Sequence, residues 1–145
     1  MKLSAHEIEH RQSAFLELLR EKGLKVTQQR LVIFRALQES HGHLTAEQVH
    51  EAVKADNPSL SLSTVYATLE TLVQIGALAE ITMDDGRKLF DRTTSAHHHF
   101  VDLDSGAVSD LEDSEAIRLD LKALSRKGYV IEKARVTVYG RARKH

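Results

Sequence analysis

The residues best suited to chemistry lie between positions 97 and 110. Three consecutive histidines, His97, His98 and His99, precede a short polar turn and then Asp110. Side chains alternate faces along a strand, so His97 and His99 point one way and His98 the other. Two imidazoles spaced like this present themselves to one ion. If residues 97–103 and 107–111 pair as a hairpin, a two-residue turn at Asp104-Ser105 sets Asp110 directly opposite His99. A turn at Ser105-Gly106 shifts the register but keeps Asp110 on the same face. His43, in a break between two helical segments, and Asp91, shortly before the triplet, are candidates to reach the same ion. Three imidazoles and two carboxylates without sulfur suit Fe2+ or Mn2+, and allow Zn2+ or Ni2+. His6, His10, His41, His50 and His145 read as surface residues.

Composition narrows the rest. The chain has 145 residues, 41% hydrophobic and 28% charged, which is ordinary for a globular protein. It has no cysteine, which excludes disulfides, thiolate nucleophiles and thiolate metal sites. No apolar run reaches membrane-spanning length and the N-terminus lacks a signal-peptide pattern, so the expectation is a cytoplasmic protein with no membrane partner. The formal net charge is −1. Any role in binding nucleic acid must then rest on locally placed charge.

These candidate ligands need elements to position them. Residues 5–22 read as a helix, with Ile8, Phe15, Leu18 and Leu19 at helical spacing. Thr27 suits the N-cap of a second helix over 28–40, its apolar side formed by Leu31, Val32, Phe34, Ala36 and Leu37. Thr45 and Gln48 have capping-box spacing for a third helix. A fourth runs from about Ser63 to Gln74, with Val65, Leu69, Leu72 and Val73 inward. Two short strands then flank Asp84-Asp85-Gly86, a hairpin turn signal. Three helices and a hairpin in that order give a winged helix-turn-helix. Beyond it, residues 114–127 read as a helix with Ile117, Leu121 and Leu124 on one face. Residues 129–140 alternate as a strand with Val130, Val136 and Val138 on one side. The expected fold is α+β: a winged helix-turn-helix domain over 1–92 and a small α/β domain over 93–145. The second buries little alone, and pairing with another copy would complete it.

The fourth helix has the chemistry of a DNA reader. Ser61, Ser63 and Thr64 cluster at its N-terminus, where hydroxyls and backbone N–H groups can bind phosphate. Tyr66 and Thr68 project from its first turns, toward base edges. Lys25 and Arg30 lie around the start of the second helix and could add phosphate contacts. Position 67 is Ala, so bidentate base readout is not evident.

Together "GLKVTQQR", "HLTAEQVHEAV", "LSLSTVYATLETL", "LFD", "HHHF" and "VYG" resemble the ferric uptake regulator (Fur) superfamily of metal-responsive repressors, over nearly the whole chain. The resemblance implies a winged helix followed by an α/β dimerisation domain. It also implies a homodimer on double-stranded operator DNA, and His43, Asp91, His97, His99 and Asp110 as regulatory metal ligands. Aspartate as the last ligand is similar to the peroxide-responsive branch. That branch implies oxidation of the iron-bound histidines, here His43 and His97, whereas Mn2+ would bind without that reaction. Tyr66 falls on the family's base-contacting tyrosine and Lys25 near its minor-groove lysine.

Two departures are plain. Asp102 and Ser105 stand where many members keep the first Cys-x-x-Cys pair, so no structural four-cysteine zinc is available. Ala96 and Ala134 stand where a further site usually has histidines. The iron response regulators, with a similar "HHH", offer an alternative in which His97, His98 or His99 binds haem. Two readings from other classes are a His/Asp metalloenzyme and a DNA-binding dimer without functional metal. The first lacks a carboxylate reserved for acid–base work.

Overall fold

A computed structural model describes residues 2–95, 97–111, 117–132 and 134–143. The chain forms two compact units, Met1–Thr94 and Ser95–His145. Among the described residues no helix is long and apolar enough to cross a membrane.

In the first unit α1 spans Ala5–Glu21, and a capping box between Ser4 and Glu7 starts it. Helix α2 spans Gln28–Glu39, with the Thr27 hydroxyl accepting from the Arg30 N–H. Strand β1 is only His43–Leu44. Helix α3 spans Ala46–Val53 behind the Thr45–Gln48 capping box. Helix α4 spans Leu62–Gln74 and is capped by Ser61. Strands β2 (Ala79–Thr82) and β3 (Lys88–Asp91) form the hairpin. Gly86 turns it at φ 87°, a backbone state that glycine adopts without strain.

The core of this unit joins all its helices. Phe15, Leu19, Ile33, Leu37, Val49, Val65, Leu69 and Leu72 are buried together. Phe15 and Phe34 stack with centroids 4.1 Å apart. Each fully buried Leu or Phe contributes roughly 1.5–3 kcal/mol relative to an exposed one. The buried stripe of α2 differs from the expected one: it is Ile33, Phe34, Leu37 and Gln38. Leu31 and Ala36 lie at its margin and Val32 is half-exposed. Packing against both α1 and α4 rotates the inner face toward position 33.

The strands order as β1-β3-β2, all antiparallel. "HGHL" was expected only as a helix break. It breaks the helix and also adds an edge strand to the hairpin.

The second unit is built on β4 (His98–Asp102), β5 (Val108–Leu111) and β6 (Thr137–Gly140). The order is β5-β4-β6, with β4 and β6 parallel. The expected helix over 114–127 is shorter here. Helix α5 spans Leu121–Arg126, and the Asp120 carboxylate caps it by accepting from the Ala123 N–H. Positions 112–116 lie outside the described residues, as do Ala96 and His145. Among the described residues the expected strand over 129–140 forms at 137–140, where β4 offers the ladder partner that a strand needs. Val130 is 91% exposed and Val138 is also exposed, so the two do not share an inward face with the partly buried Val136.

Candidate metal centre and nucleic-acid interface

In the first unit the β1–β3 pairing sets His43 directly across from Asp91. Nε2 of His43 lies 3.3 Å from Oδ2 of Asp91. The other carboxylate oxygen accepts from the Thr93 N–H at 2.8 Å, which fixes the headgroup. Asp91 is 1% exposed. A carboxylate buried to that extent is paired or binds a cation.

Two neighbours hold this pair in place. Gly42 precedes His43 at φ 106°, and a Cβ there would lie 3.2 Å from Nε of Arg92. The Arg92 N–H donates to the Gly42 carbonyl at 3.1 Å, continuing the ladder past Asp91. Gly42→Ala is therefore expected to destabilise the first unit by about 1–3 kcal/mol. It should also weaken divalent-metal binding, because β1 shifts against β3. Thermal melting and Mn2+ titration of the same sample check both effects.

In the second unit His99 pairs with Asp110 across β4 and β5, the register a turn at Asp104-Ser105 produces. Nε2 of His97 lies 3.2 Å from Oδ1 of Asp110, and Nε2 of His99 lies 3.4 Å from the same oxygen. The two rings are edge-on with centroids 4.4 Å apart. Nδ1 of His97 is 2.7 Å from the Ser95 carbonyl. A proton on that nitrogen leaves Nε2 as the lone-pair donor, the usual arrangement of a ligating histidine. His99 is fully buried.

These spacings suit a shared ion within each group. Ligand atoms about 2.1 Å from a metal and about 90–110° apart lie roughly 3.0–3.4 Å from one another. The oxygen–nitrogen distances of 3.2–3.4 Å fall in that range. They are also long for strong hydrogen bonds.

His98 has a different task. Its Nδ1 accepts the Val136 N–H at 2.9 Å, just before β6, while the His99 N–H donates to the Val136 carbonyl at 3.0 Å. His98 thus helps dock β6 onto β4, a role the sequence did not suggest. His50 is not a plain surface residue either: its Nε2 bonds the Leu60 carbonyl at 2.9 Å.

Asp102 and Ser105, the positions of the absent cysteines, lock the β4–β5 turn. The Ser105 hydroxyl donates to the Asp102 carboxylate at 2.7 Å, and the Asp104 N–H donates at 3.2 Å. These bonds, the serine's first, hold the Asp102 carboxyl below its ordinary range.

The candidate DNA-facing residues gather on the first unit. The Ser61 hydroxyl accepts from the Thr64 N–H at 3.2 Å and lies within 3.1 Å of the Ser63 and Thr64 hydroxyls. Arg30 donates to the Lys25 carbonyl at 2.6 Å. A polar hollow of about 390 Å3 opens among Thr27, Gln29, Arg30, Ser63, Thr64 and Thr71. Thr68 departs from expectation. It is 9% exposed, because Val65, Thr68, Leu69 and Leu72 share the buried stripe of α4. It still lines the same hollow from the margin of that stripe.

The Tyr66 hydroxyl donates to the Glu47 carboxylate at 2.8 Å. Glu47 stands in the first turn of α3. Its own backbone N–H there, and then the Tyr66 hydroxyl, hold its carboxyl below the ordinary range. The sequence signal for Glu47 was its place one residue after the first residue of α3.

The family profile described as ferric uptake regulator matches residues 21–139. The chain belongs to the ferric uptake regulator family. Among curated relatives, the peroxide-responsive repressor PerR of Staphylococcus aureus is 29% identical over 140 residues, covering 97% of this chain and 95% of that protein. Among solved structures, the Pseudomonas aeruginosa ferric uptake regulator with manganese is 30% identical, with a TM-score of 0.72 over 87% of this chain and 96% of that one. The Vibrio cholerae ferric uptake regulator is 26% identical, with a TM-score of 0.74 over 87% and 98% of the two chains. A ferric uptake regulator family member is a metal-dependent DNA-binding regulator, and the α+β order of helices, hairpin and second sheet agrees with that membership.

Proposed function

We propose that this member of the family is a homodimeric transcriptional repressor of the peroxide-responsive kind. One Fe2+ or Mn2+ per subunit would be held by His43, Asp91, His97, His99 and Asp110. The observation that carries this reading is the donor chemistry: two cross-strand His/Asp groups, one in each unit, all nitrogen and oxygen. That set fits the hard-to-borderline ions Fe2+ and Mn2+, and Zn2+ can occupy it in vitro. A single ion taken from both units would fix the orientation of the winged helix relative to the dimerisation unit. Ser61, Ser63, Thr64, Tyr66, Lys25 and Arg30 would then meet operator DNA. The protein acts in this reading as a cytoplasmic regulator and not as an enzyme.

The dimer in this reading covers apolar surface that the second unit leaves exposed: Leu119, Leu121, Leu124, Tyr129 and Val130. Without cysteine, its assembly rests on such packing and on strand pairing.

When bound, Fe2+ supplies the electron that peroxide needs, which Mn2+ does not readily give. In this reading His43 and His97 would be the residues that take up oxygen, and loss of a ligand would release the DNA. The similarity to PerR over 97% of the chain supports this version. Mass spectrometry of Fe2+-loaded protein after mild peroxide should show one added oxygen on a peptide containing His43 or His97, with none on Mn2+-loaded protein. Intact histidines with iron bound would rule out peroxide sensing while leaving metal-dependent repression standing. The haem alternative gains no support from His98, whose Nδ1 is committed to the Val136 N–H.

A further inference from the structure

The hydroxyl of Tyr66 bridges the DNA-facing helix α4 to the first turn of α3. It donates to Oε1 of Glu47 at 2.8 Å. The Tyr66 ring is partly buried and packs against the core of the first unit, whereas Glu47 is exposed. The side chain is thus held at two points. Apolar packing holds the body of the ring, and a hydrogen bond to a charged acceptor holds its tip.

That bond uses the only proton the phenol has to donate. A hydroxyl committed to Glu47 does not offer the proton to a phosphate oxygen or to a base acceptor. What remains for a base edge is the apolar ring. In the major groove the apolar feature of a base is the thymine methyl. Position 67, the next residue of α4, is alanine and reads no base by hydrogen bonds. Base discrimination from this turn of the helix then falls to the Tyr66 ring, and the ring's orientation decides it.

Glu47 also brings a charge. Its own backbone N–H and then the Tyr66 hydroxyl hold its carboxyl below the ordinary range, so it is ionised at neutral pH. Among the described residues no lysine, arginine or histidine pairs with it. Ser63, a candidate phosphate contact, stands three residues before Tyr66 on the same face of α4. A phosphate held there would meet repulsion from Glu47 on approaching the phenol.

We propose that Glu47 is a positioning residue for base reading, which rests on the reading in which Tyr66 meets operator DNA. Its carboxylate turns the Tyr66 ring toward a thymine methyl and keeps phosphates off the phenol. Glu47 itself touches no base in this arrangement.

The test uses the full-length Mn2+-loaded protein and a duplex obtained by in vitro selection with it. Each thymine is replaced in turn by deoxyuridine, which lacks only the methyl. In the parent at least one replacement should weaken binding about fourfold, the worth of one buried methyl group. Tyr66→Ala should abolish that penalty. Glu47→Ala should shrink it to less than about twofold without weakening binding to a random duplex. Glu47→Gln keeps an acceptor for the hydroxyl and drops the charge. It should restore the penalty and bind the random duplex about threefold more tightly than the parent. A full penalty in Glu47→Ala would overturn this inference alone. So would a fall in melting temperature and in both affinities with the penalty intact, the result expected of a mere staple between α3 and α4. A parent insensitive to every replacement, or a penalty that survives Tyr66→Ala, would overturn the placement of Tyr66 at base edges and this inference with it.

Discussion

His99→Gln and Asp110→Asn are each expected to lower Mn2+ affinity by more than about 100-fold, since removing an outer-sphere partner alone typically costs 10–100-fold. The geometry makes these the strongest substitutions. Oδ1 of Asp110 is the atom that both His97 and His99 approach, at 3.2 and 3.4 Å. Asparagine keeps the shape but removes the charge that helps an ion leave water. Glutamine at position 99 keeps β4 intact while withdrawing a fully buried imidazole. Operator binding follows the metal in the proposed mechanism. A duplex obtained by in vitro selection with the Mn2+-loaded protein should therefore lose its affinity for both variants at Mn2+ concentrations that saturate the parent chain. His98→Ala serves as the control. It loses only the bond to the Val136 N–H, so its metal affinity should stay close to that of the parent. Metal-dependent DNA binding that survives Asp110→Asn would sink the proposed centre.

Arg92→Met is expected to destabilise the first unit by about 2–3 kcal/mol. Arg92 is 8% exposed, and its guanidinium sits at the C-terminal end of α2. Its Nη1 donates to the Gln38 carbonyl at 3.0 Å and to the Ser40 carbonyl at 2.7 Å. The last carbonyls of a helix lack intrahelical donors and carry the negative end of its dipole, so a cation there is doubly favourable. Methionine fills much of the volume but strands those acceptors away from water. For a domain of this size the melting temperature should fall by roughly 10 °C. Arg92→Lys should recover only part of the loss, because an ammonium is a point donor and not a planar fork. Differential scanning calorimetry of the parent and the two variants decides the matter. Equal melting of the Arg92→Met variant and the parent would show that the two carbonyls find other donors.

Much of the first unit was legible because its signals are local. Thr27, Ser61 and the Thr45–Gln48 box announce helix starts, and Asp85-Gly86 announces a turn, whatever the tertiary context. The His99–Asp110 pairing was legible for the same reason, since a short turn fixes register by arithmetic. Strand β1 was not: two residues carry no periodicity, and only β3 makes His43–Leu44 a strand. The roles of Arg92 and His98 were hidden as well. Each depends on a contact with chain 38–54 residues away, so nothing near it in sequence reports the partner. The alternation at 129–136 misled because it encodes an apolar surface, and no neighbouring strand lies beside it among the described residues.

The turn between β4 and β5 also bears on how the protein matures. Its Ser105–Asp102 bond is made from oxygen and hydrogen already present on the chain. This hairpin can therefore close during synthesis without waiting for zinc supply or for reduced thiols. Alkylating electrophiles such as iodoacetamide find no sulfhydryl to cap. Chelators that strip zinc from thiolate clusters have no such cluster here to dismantle.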